Sequence, residues 1–348
     1  MFKKYLIKIK HNAFLKDNLI LFIGSFLAGA LGFFYHFYMG RILGVEAYGI
    51  LGTILAGFYL INASFVNTLQ TSIAKFSSEF HATQEQGKIK YLLIRSFKKL
   101  FLIGVLLFVI SLFLVGWLSE FLHIEKDLLY VSGSIFLLFL LIPVGRGFMQ
   151  GIQDFKALSL NYVIEGVMKL GLGVLFVYFG YKVMGAIVAV ILTYVIAILF
   201  FWQPLKKFLQ VEATPFPTKN IYIYSVPVFL MITSITLFFS LDVILVKHFF
   251  TETEAGIYSA LSLLGKIIFF GTLSISQVMF PKVSSQHASG KKTTKTFYLS
   301  LAVVSLFSAC ALLVYAFLPK LLVTILFGKE FFLMIPLVAW FGLFISII

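Results

Sequence analysis

The chain has 348 residues, of which 60% are hydrophobic, 18% aromatic and only 12% charged, and its mean hydropathy is +1.01. A soluble domain carries roughly 25% charged residues and needs them on its exterior, so soluble enzymes, nucleic-acid modules and disordered chains are excluded. The formal net charge of +14 reads instead as membrane orientation. The apolar runs are continuous rather than period-two, which argues for membrane-spanning helices and against a strand barrel.

Ten spans are predicted. Span one, 18–40, follows several lysines, and Ala28-Gly29-Ala30 imitates a signal-peptide cleavage site. Leu31 to Met39 stays apolar beyond it, so the span is read as uncleaved. Ser25, Gly29, Gly32, His36 and Gly40 recur at steps of four, three, four and four, the pattern of close helix packing. His36 on that face is either a hydrogen-bonded packing group or a titrating one. Span two, 48–71, offers Asn62, Asn67, Gln70 and Thr71 as hydrogen-bonding groups for a polar solute or another helix.

The polar stretch 72–96 reads as a surface helix leading into span three at 97–119. Span four is 128–149 and span five 157–180. Glu165 and Lys169, four residues apart with the acid first, share a face of span five. They form either a self-neutralised structural pair or the charged lining of a hydrated cavity. Span six is 183–203. The stretch 204–220, with Pro204, Pro215 and Pro217, is the one linker-like segment.

Span seven, 221–247, holds Pro227, an expected bend. Thr233, Thr236, Ser240 and Lys247 form one stripe there, and Asp242 lies on the opposite side. Asp242 is a candidate for ion coupling or for a structural pair. Span eight, 256–280, carries Lys266 ten residues in, or ~15 Å at 1.5 Å per residue. Ser259, Ser262 and Ser276 share its face, a setting suited to an anionic headgroup such as a diphosphate, or else Lys266 pairs with a carboxylate such as Glu165. Spans nine and ten are 296–319 and 331–348. A charge at the bilayer centre costs at least ~2.5 kcal/mol, so each of these groups demands a reason.

Twenty Lys/Arg fall on the side of the N-terminal tail and the even-numbered loops, Arg146 among them, against six on the other side. That asymmetry places the N-terminus in the cytoplasm. The single cysteine, Cys310, supports no internal disulfide, and the six histidines show no metal-ligand spacing. There is no Walker A sequence, no HExxH and no Gly-x-Ser-x-Gly, so no catalytic seat, cofactor or metal is expected.

A shift of 207 residues lays span two on span eight without gaps, with seven identities over residues 45–82. Gly49-Ile50 falls on Gly256-Ile257, and Gln70, Lys75, Ser77 and Ser78 fall on Gln277, Lys282, Ser284 and Ser285. This reads as two homologous lobes in parallel orientation. The lobes are 1–203 and 221–348, joined by the cytoplasmic linker 204–220. The second holds only four spans, so the expectation is a chain that stops short of two further spans.

The stretch Gly40-Arg41-Ile42-Leu43-Gly44-Val45-Glu46-Ala47-Tyr48-Gly49 resembles the "R-x-LG-x-x-x-YG" signature of the oligosaccharide flippases. These are the polysaccharide-biosynthesis branch of the multidrug/oligosaccharidyl-lipid/polysaccharide exporter superfamily. Gly145 to Gly151 resembles the family's "GxxQG" turn, and Asp242 through Ala255-Gly256-Ile257-Tyr258-Ser259-Ala260 its "D…aGiYsa" segment. Phe280-Pro281 and Leu326-Phe327-Gly328-Lys329-Glu330 resemble two further segments. Lys247-His248 departs from the family, where an Arg often follows the Asp.

The resemblance implies an all-α polytopic membrane protein, with two pseudo-symmetric six-helix lobes around a central cavity and the second lobe incomplete. It implies a flippase that carries a polyprenyl-diphosphate-linked oligosaccharide across the cytoplasmic membrane by alternating access. Arg41, Lys169, Lys266 and Gln70 are then the expected headgroup contacts, and Glu165, Asp242 and His36 the candidates for ion coupling. Lipid-linked oligosaccharide and membrane lipids are the expected partners, with a glycan polymerase and glycosyltransferases alongside and no nucleic acid. Rival readings are a cation-coupled drug exporter, a lipid II flippase, and a non-transporting scaffold of a glycan-assembly complex.

Overall fold

The computed structural model describes residues 13–288 and 293–347; side chains are described from Ile20 onward, except at 220, 222, 238–239, 270–271, 273–288, 295 and 347. The readings on Lys3, Lys4, Lys8, Lys10 and Lys16, and on Ser276, Gln277, Phe280, Pro281, Lys282, Ser284, Ser285, Lys291, Lys292 and Lys295, lie outside the described side chains.

Among the described residues the fold is all α, and helix occupies each of the ten predicted stretches. In chain order the helices are α1 (Ala13–Ala82), α2 (Gln86–Leu122), α3 (Lys126–Gly133), α4 (Phe136–Phe139) and α5 (Ile142–Gly151). Then come α6 (Phe155–Phe176), α7 (Lys182–Phe200), α8 (Trp202–Leu209) and α9 (Lys219–Phe249). The chain continues through α10 (Glu252–Ala288), α11 (Thr294–Phe317), α12 (Pro319–Leu326) and α13 (Ile335–Ile347). Among the described residues six stretches are long and apolar enough to cross a membrane, or seven if the bent α9 counts as one span. Two of the six, 20–82 and 155–209, each hold two predicted spans. Outward-facing apolar side chains such as Phe113, 85% exposed on α2, are what a helix surface in hydrocarbon presents.

Packing divides the chain into two units. One runs to Met39 and resumes over Ile50–Phe249; the other holds Gly40–Gly49 and Phe250–Ile348. The sequence division at 204–220 follows the order of spans, whereas packing places α9 in the first unit and a ten-residue turn in the second.

In the first unit, α6 and α7 form an antiparallel hairpin around Gly180, whose φ is 90°. Asp154 caps α6, its carboxylate accepting from the Ala157 amide at 3.1 Å. Helix α5 lies close against the later half of α1. A Cβ at Gly147 would sit 2.6 Å from the Gln70 carbonyl, and one at Gly151 2.5 Å from Ser77 Cβ. Helix α9 joins this unit at both ends. Ser225 and Ser72 hydroxyls are 2.7 Å apart, and the His248 ring lies parallel to Phe121 at 3.8 Å. The expected bend at Pro227 falls later: the segments 223–237 and 240–249 meet at 45°. Ser234 and Thr236 return their hydroxyls to the carbonyls of Leu230 and Ile232 just before that point, a pattern that bends helices.

In the second unit, Thr251 and Glu254 form a reciprocal capping box at the start of α10. Those hydrogen bonds hold the Glu254 carboxyl below the usual carboxylate range. The turn 40–49 is embedded here. Tyr48 is 1% exposed, with its ring edge-on to Phe327 and Phe331 at 6.0 and 5.9 Å. Gly44 breaks α1 with φ 79°, a conformation that glycine reaches without steric cost. A Cβ at Gly49 would lie 2.8 Å from the Gly256 nitrogen and 3.3 Å from the Glu252 carbonyl, and one at Gly256 would strike the Val45 carbonyl. Thr253 donates to Glu46 at 3.2 Å.

Candidate functional site

The first unit contains a connected polar network inside its apolar helices. Its centre is Arg146 of α5, whose residue is 7% exposed. The guanidinium Nε donates to Asn161 Oδ1 at 2.8 Å, and one Nη donates to Glu165 in an ion pair. Its Cζ lies over the Tyr162 ring, 4.4 Å from the ring centre. Asn161, fully buried, passes its own amide hydrogen to the Ala197 carbonyl at 3.0 Å, which anchors the network to α7. Three of the partners, Asn161, Tyr162 and Glu165, come from one helix because α6 presents residues at i, i+1 and i+4 around Arg146.

The network extends both ways. Gln70 on α1 donates to Gln150 at 3.0 Å and to the Tyr162 hydroxyl at 2.9 Å. Asn62 donates to the Tyr194 hydroxyl at 3.4 Å, and that hydroxyl interacts electrostatically with both Glu165 and Arg146. One turn beyond Glu165, Lys169 places its ammonium 4.5 Å above the Tyr35 ring and still feels the Glu165 charge. Tyr35 is fully buried and donates to the Ala186 carbonyl at 3.3 Å; the His36 ring meets it edge-on at 5.5 Å. Glu165 lies ten residues into α6, or ~15 Å at 1.5 Å per residue, half the depth of a ~30 Å hydrocarbon core.

Arg146, Lys169 and Glu165 sum to one positive charge. A guanidinium has five N–H donors in a fixed fork, of which the named bonds to Asn161 and Glu165 use two. Such a group suits a carboxylate or a phosphate. The side chain of Glu165 is 26% exposed, against 8% for that of Arg146.

The structure thus brings Gln70, Glu165, Lys169 and His36 into one network. Asp242 is half-buried on α9 of the same unit, where Thr236, Ser240 and Lys247 are buried on the other face. Thr233 and Ser240 carry buried hydroxyl oxygens without a hydrogen-bond partner among the described residues. Arg41 and Lys266 belong to the second unit. Arg41 donates to the Ile325 carbonyl at 3.2 Å, near the end of α12. Lys266 is half-buried on α10, and Ser259 and Ser262 beside it are buried.

Arg146 is the residue that sequence reasoning misplaced. The charge asymmetry of the sequence sets it among the cytoplasmic loop cations, but the structure buries it inside the 126–151 span. It also replaces Lys169 as the ion-pair partner of Glu165. Asn161, Tyr162, Gln150 and Tyr194 were likewise missed. A signal was present: the glycines flanking Arg146 mark a helix packed too tightly for a solvated loop.

Long apolar helices around a buried charged network define a multi-pass membrane protein. Residues 14–287 match the family described as "Polysaccharide biosynthesis protein", and the chain belongs to that family. It is 25% identical over 290 residues to an uncharacterized membrane protein of Methanocaldococcus jannaschii, which spans 77% of this chain and 67% of that protein. It is 26% identical over 162 residues to stage V sporulation protein B of Bacillus subtilis, covering 46% of this chain and 31% of that protein. Among solved structures, the fold matches a multidrug resistance MATE family transporter of the MOP superfamily in an inward-facing conformation. That match has a TM-score of 0.74 and 14% identity, and covers 92% of this chain and 78% of the other. A MOP superfamily transporter from Pyrococcus furiosus, described as having a binding pocket of reverse polarity, matches with a TM-score of 0.61 and 16% identity over 95% and 79% of the two chains.

Proposed function

We propose that the protein is a flippase for a polyprenyl-diphosphate-linked oligosaccharide, moving its headgroup across the cytoplasmic membrane for surface polysaccharide assembly. The observation that carries this reading is the Arg146–Glu165–Lys169 network at mid-span depth in a chain of the polysaccharide biosynthesis family. A charged, sugar-bearing headgroup cannot enter hydrocarbon without partners, since each unsatisfied polar group costs several kcal/mol there. A guanidinium fork with amide and hydroxyl neighbours supplies those partners while the polyprenyl tail stays in lipid.

In this reading Arg146, Lys169 and Gln70 are the headgroup contacts of the first unit, and Arg41 and Lys266 are candidate anion contacts within the second. Glu165, Asp242 and His36 are the groups whose charge couples the cycle to an ion. Alternating access, an N-terminus in the cytoplasm, and work beside a glycan polymerase and glycosyltransferases complete the proposal.

The test is a flipping assay in proteoliposomes with a fluorescent polyprenyl-diphosphate glycan. Wild type should translocate it, and Lys169→Ala, Lys266→Ala and Gln70→Leu should each slow it at unchanged expression and folding. Full activity in a variant that lacks Arg41, Lys169 and Lys266 and also carries Arg146→Met with Glu165→Leu would remove the cationic mechanism. Resistance to toxic dyes on expression, without glycan flipping, would favour a drug exporter. Tolerance of neutralising Lys169, Lys266 and Glu165 together in a complementation test would favour a scaffold.

A further inference from the structure

Helix α8 (Trp202–Leu209) lies apart from the polar network and has two unlike faces. Phe201, Leu205 and Phe208 are buried. Phe208 meets Phe148 edge-on at 5.0 Å, and Phe201 covers Gly145. Trp202, Gln203, Lys206 and Lys207 are exposed on the other side, Trp202 by 67%. At 100° per residue, Trp202 and Lys206 are neighbours one turn apart.

The surroundings fix what that face meets. Leu199, one turn before Trp202, is 68% exposed, so the surface running into α8 is apolar and outward-facing. Helix α2 packs against α8 in the same unit. On α2, exposed Lys98 and Lys99 are followed at once by outward-facing Phe101, Leu102 and Ile103. Both elements therefore step from lysine to exposed apolar side chains, the pattern that marks the headgroup level of a bilayer. Helix α8 carries no carboxylate; Glu212 is the nearest in sequence.

We propose that the exposed face of α8, formed by Trp202, Lys206 and Lys207, is a docking surface for anionic phospholipid headgroups, extended by Lys98 and Lys99. The indole anchors at the headgroup level, and the ammonium groups meet lipid phosphates. Charge complementarity selects this occupant: a zwitterionic headgroup brings no net negative charge to the paired lysines. The proposal is independent of the cargo.

The test uses the full chain in nanodiscs, with Trp117→Phe and Trp340→Phe leaving Trp202 as the sole tryptophan. Brominated phosphatidylglycerol should quench its fluorescence at a roughly ten-fold lower mole fraction than brominated phosphatidylcholine, because each lysine near an anionic surface adds its own attraction. Lys206→Gln/Lys207→Gln should abolish that preference and leave the phosphatidylcholine quenching unchanged. Native mass spectrometry of the otherwise wild-type chain gives a second readout: the same double change should lower the number of phosphatidylglycerol molecules retained. Equal quenching by the two lipids, absence of quenching by either, or a preference that survives the double change would overturn the proposal.

Discussion

Replacing Glu165 by glutamine keeps the size of the side chain and its hydrogen-bonding capacity but removes its charge. Arg146 would retain Asn161 at 2.8 Å and the face of Tyr162, and would lose its ion-pair partner. Removing one member of a buried pair costs about 3–5 kcal/mol, because the survivor is left charged and desolvated. The Arg146 side chain is 8% exposed and that of Glu165 26%, so water relieves part of the penalty. The expected loss is therefore about 2–3 kcal/mol. Replacing both partners, Arg146→Met with Glu165→Leu, removes both desolvation costs and should restore stability to within about 1 kcal/mol of wild type while abolishing flipping. Melting of wild type, Arg146→Met, Glu165→Leu and the double variant in detergent closes a cycle that measures the coupling directly. A Glu165→Gln protein that melts with wild type, or a coupling near zero, would refute the account of Arg146 as a buried cation held by one carboxylate.

Three further outcomes follow from local geometry. Gly147→Leu must push its side chain into the Gln70 carbonyl and Ile73, and should destabilise the first unit by about 1–3 kcal/mol in the same melting assay. Glu254 has a lowered pKa from its Thr251 bonds, so its contribution to α10 is present above the ordinary carboxylate pKa and is lost as pH falls through the lowered value. The hydrogen-exchange protection factor at 251–255, the observed rate set against the intrinsic rate at each pH, should fall on acidification, and Glu254→Gln should remove that pH response. Gly49→Val and Gly256→Val should destabilise by similar amounts, with the double change less than additive, because each inserts its methyl groups into the same backbone crossing.

Much of the helical layout could be read from the sequence because the physics behind it is one-dimensional. Continuous apolar runs specify spans, and all ten predicted stretches are helical. Gln70, Glu165 and Lys169 could be found because a polar side chain stands out against an apolar window. Arg146 could not be found in this way. It lies nine residues before the start of α6, where a short polar break is equally consistent with a loop, and its burial depends on α5 folding back against α1. Asn161 and Tyr162 near the start of span five, and Tyr194 in the middle of span six, are ordinary residues until a cation is placed among them. The bend in α9 escaped for a similar reason: Pro227 was the conspicuous residue, whereas hydroxyls returned to the helix's own carbonyls are visible only in three dimensions.

The 207-residue shift, drawn from identities alone, meets a geometric counterpart in the second unit. Gly49 approaches Gly256, and Glu46 meets Thr253, each pair separated by 207 positions. Val45 approaches Gly256 while Glu252 approaches Gly49, so the contact of 45 with 256 is returned by 252 with 49. When residue i touches j and the counterpart of j touches that of i, the contact is self-complementary, the relation that a two-fold axis imposes. A lone self-paired contact arises easily between two apolar helices; a reciprocal pair in the same register is a stricter condition. Glycine at both equivalent positions is what this backbone-to-backbone approach requires, since a Cβ at Gly49 meets the Gly256 backbone and one at Gly256 meets the Val45 carbonyl. Equal penalties at 49 and 256 would therefore report the local two-fold, and a large inequality would show that the two turns merely touch.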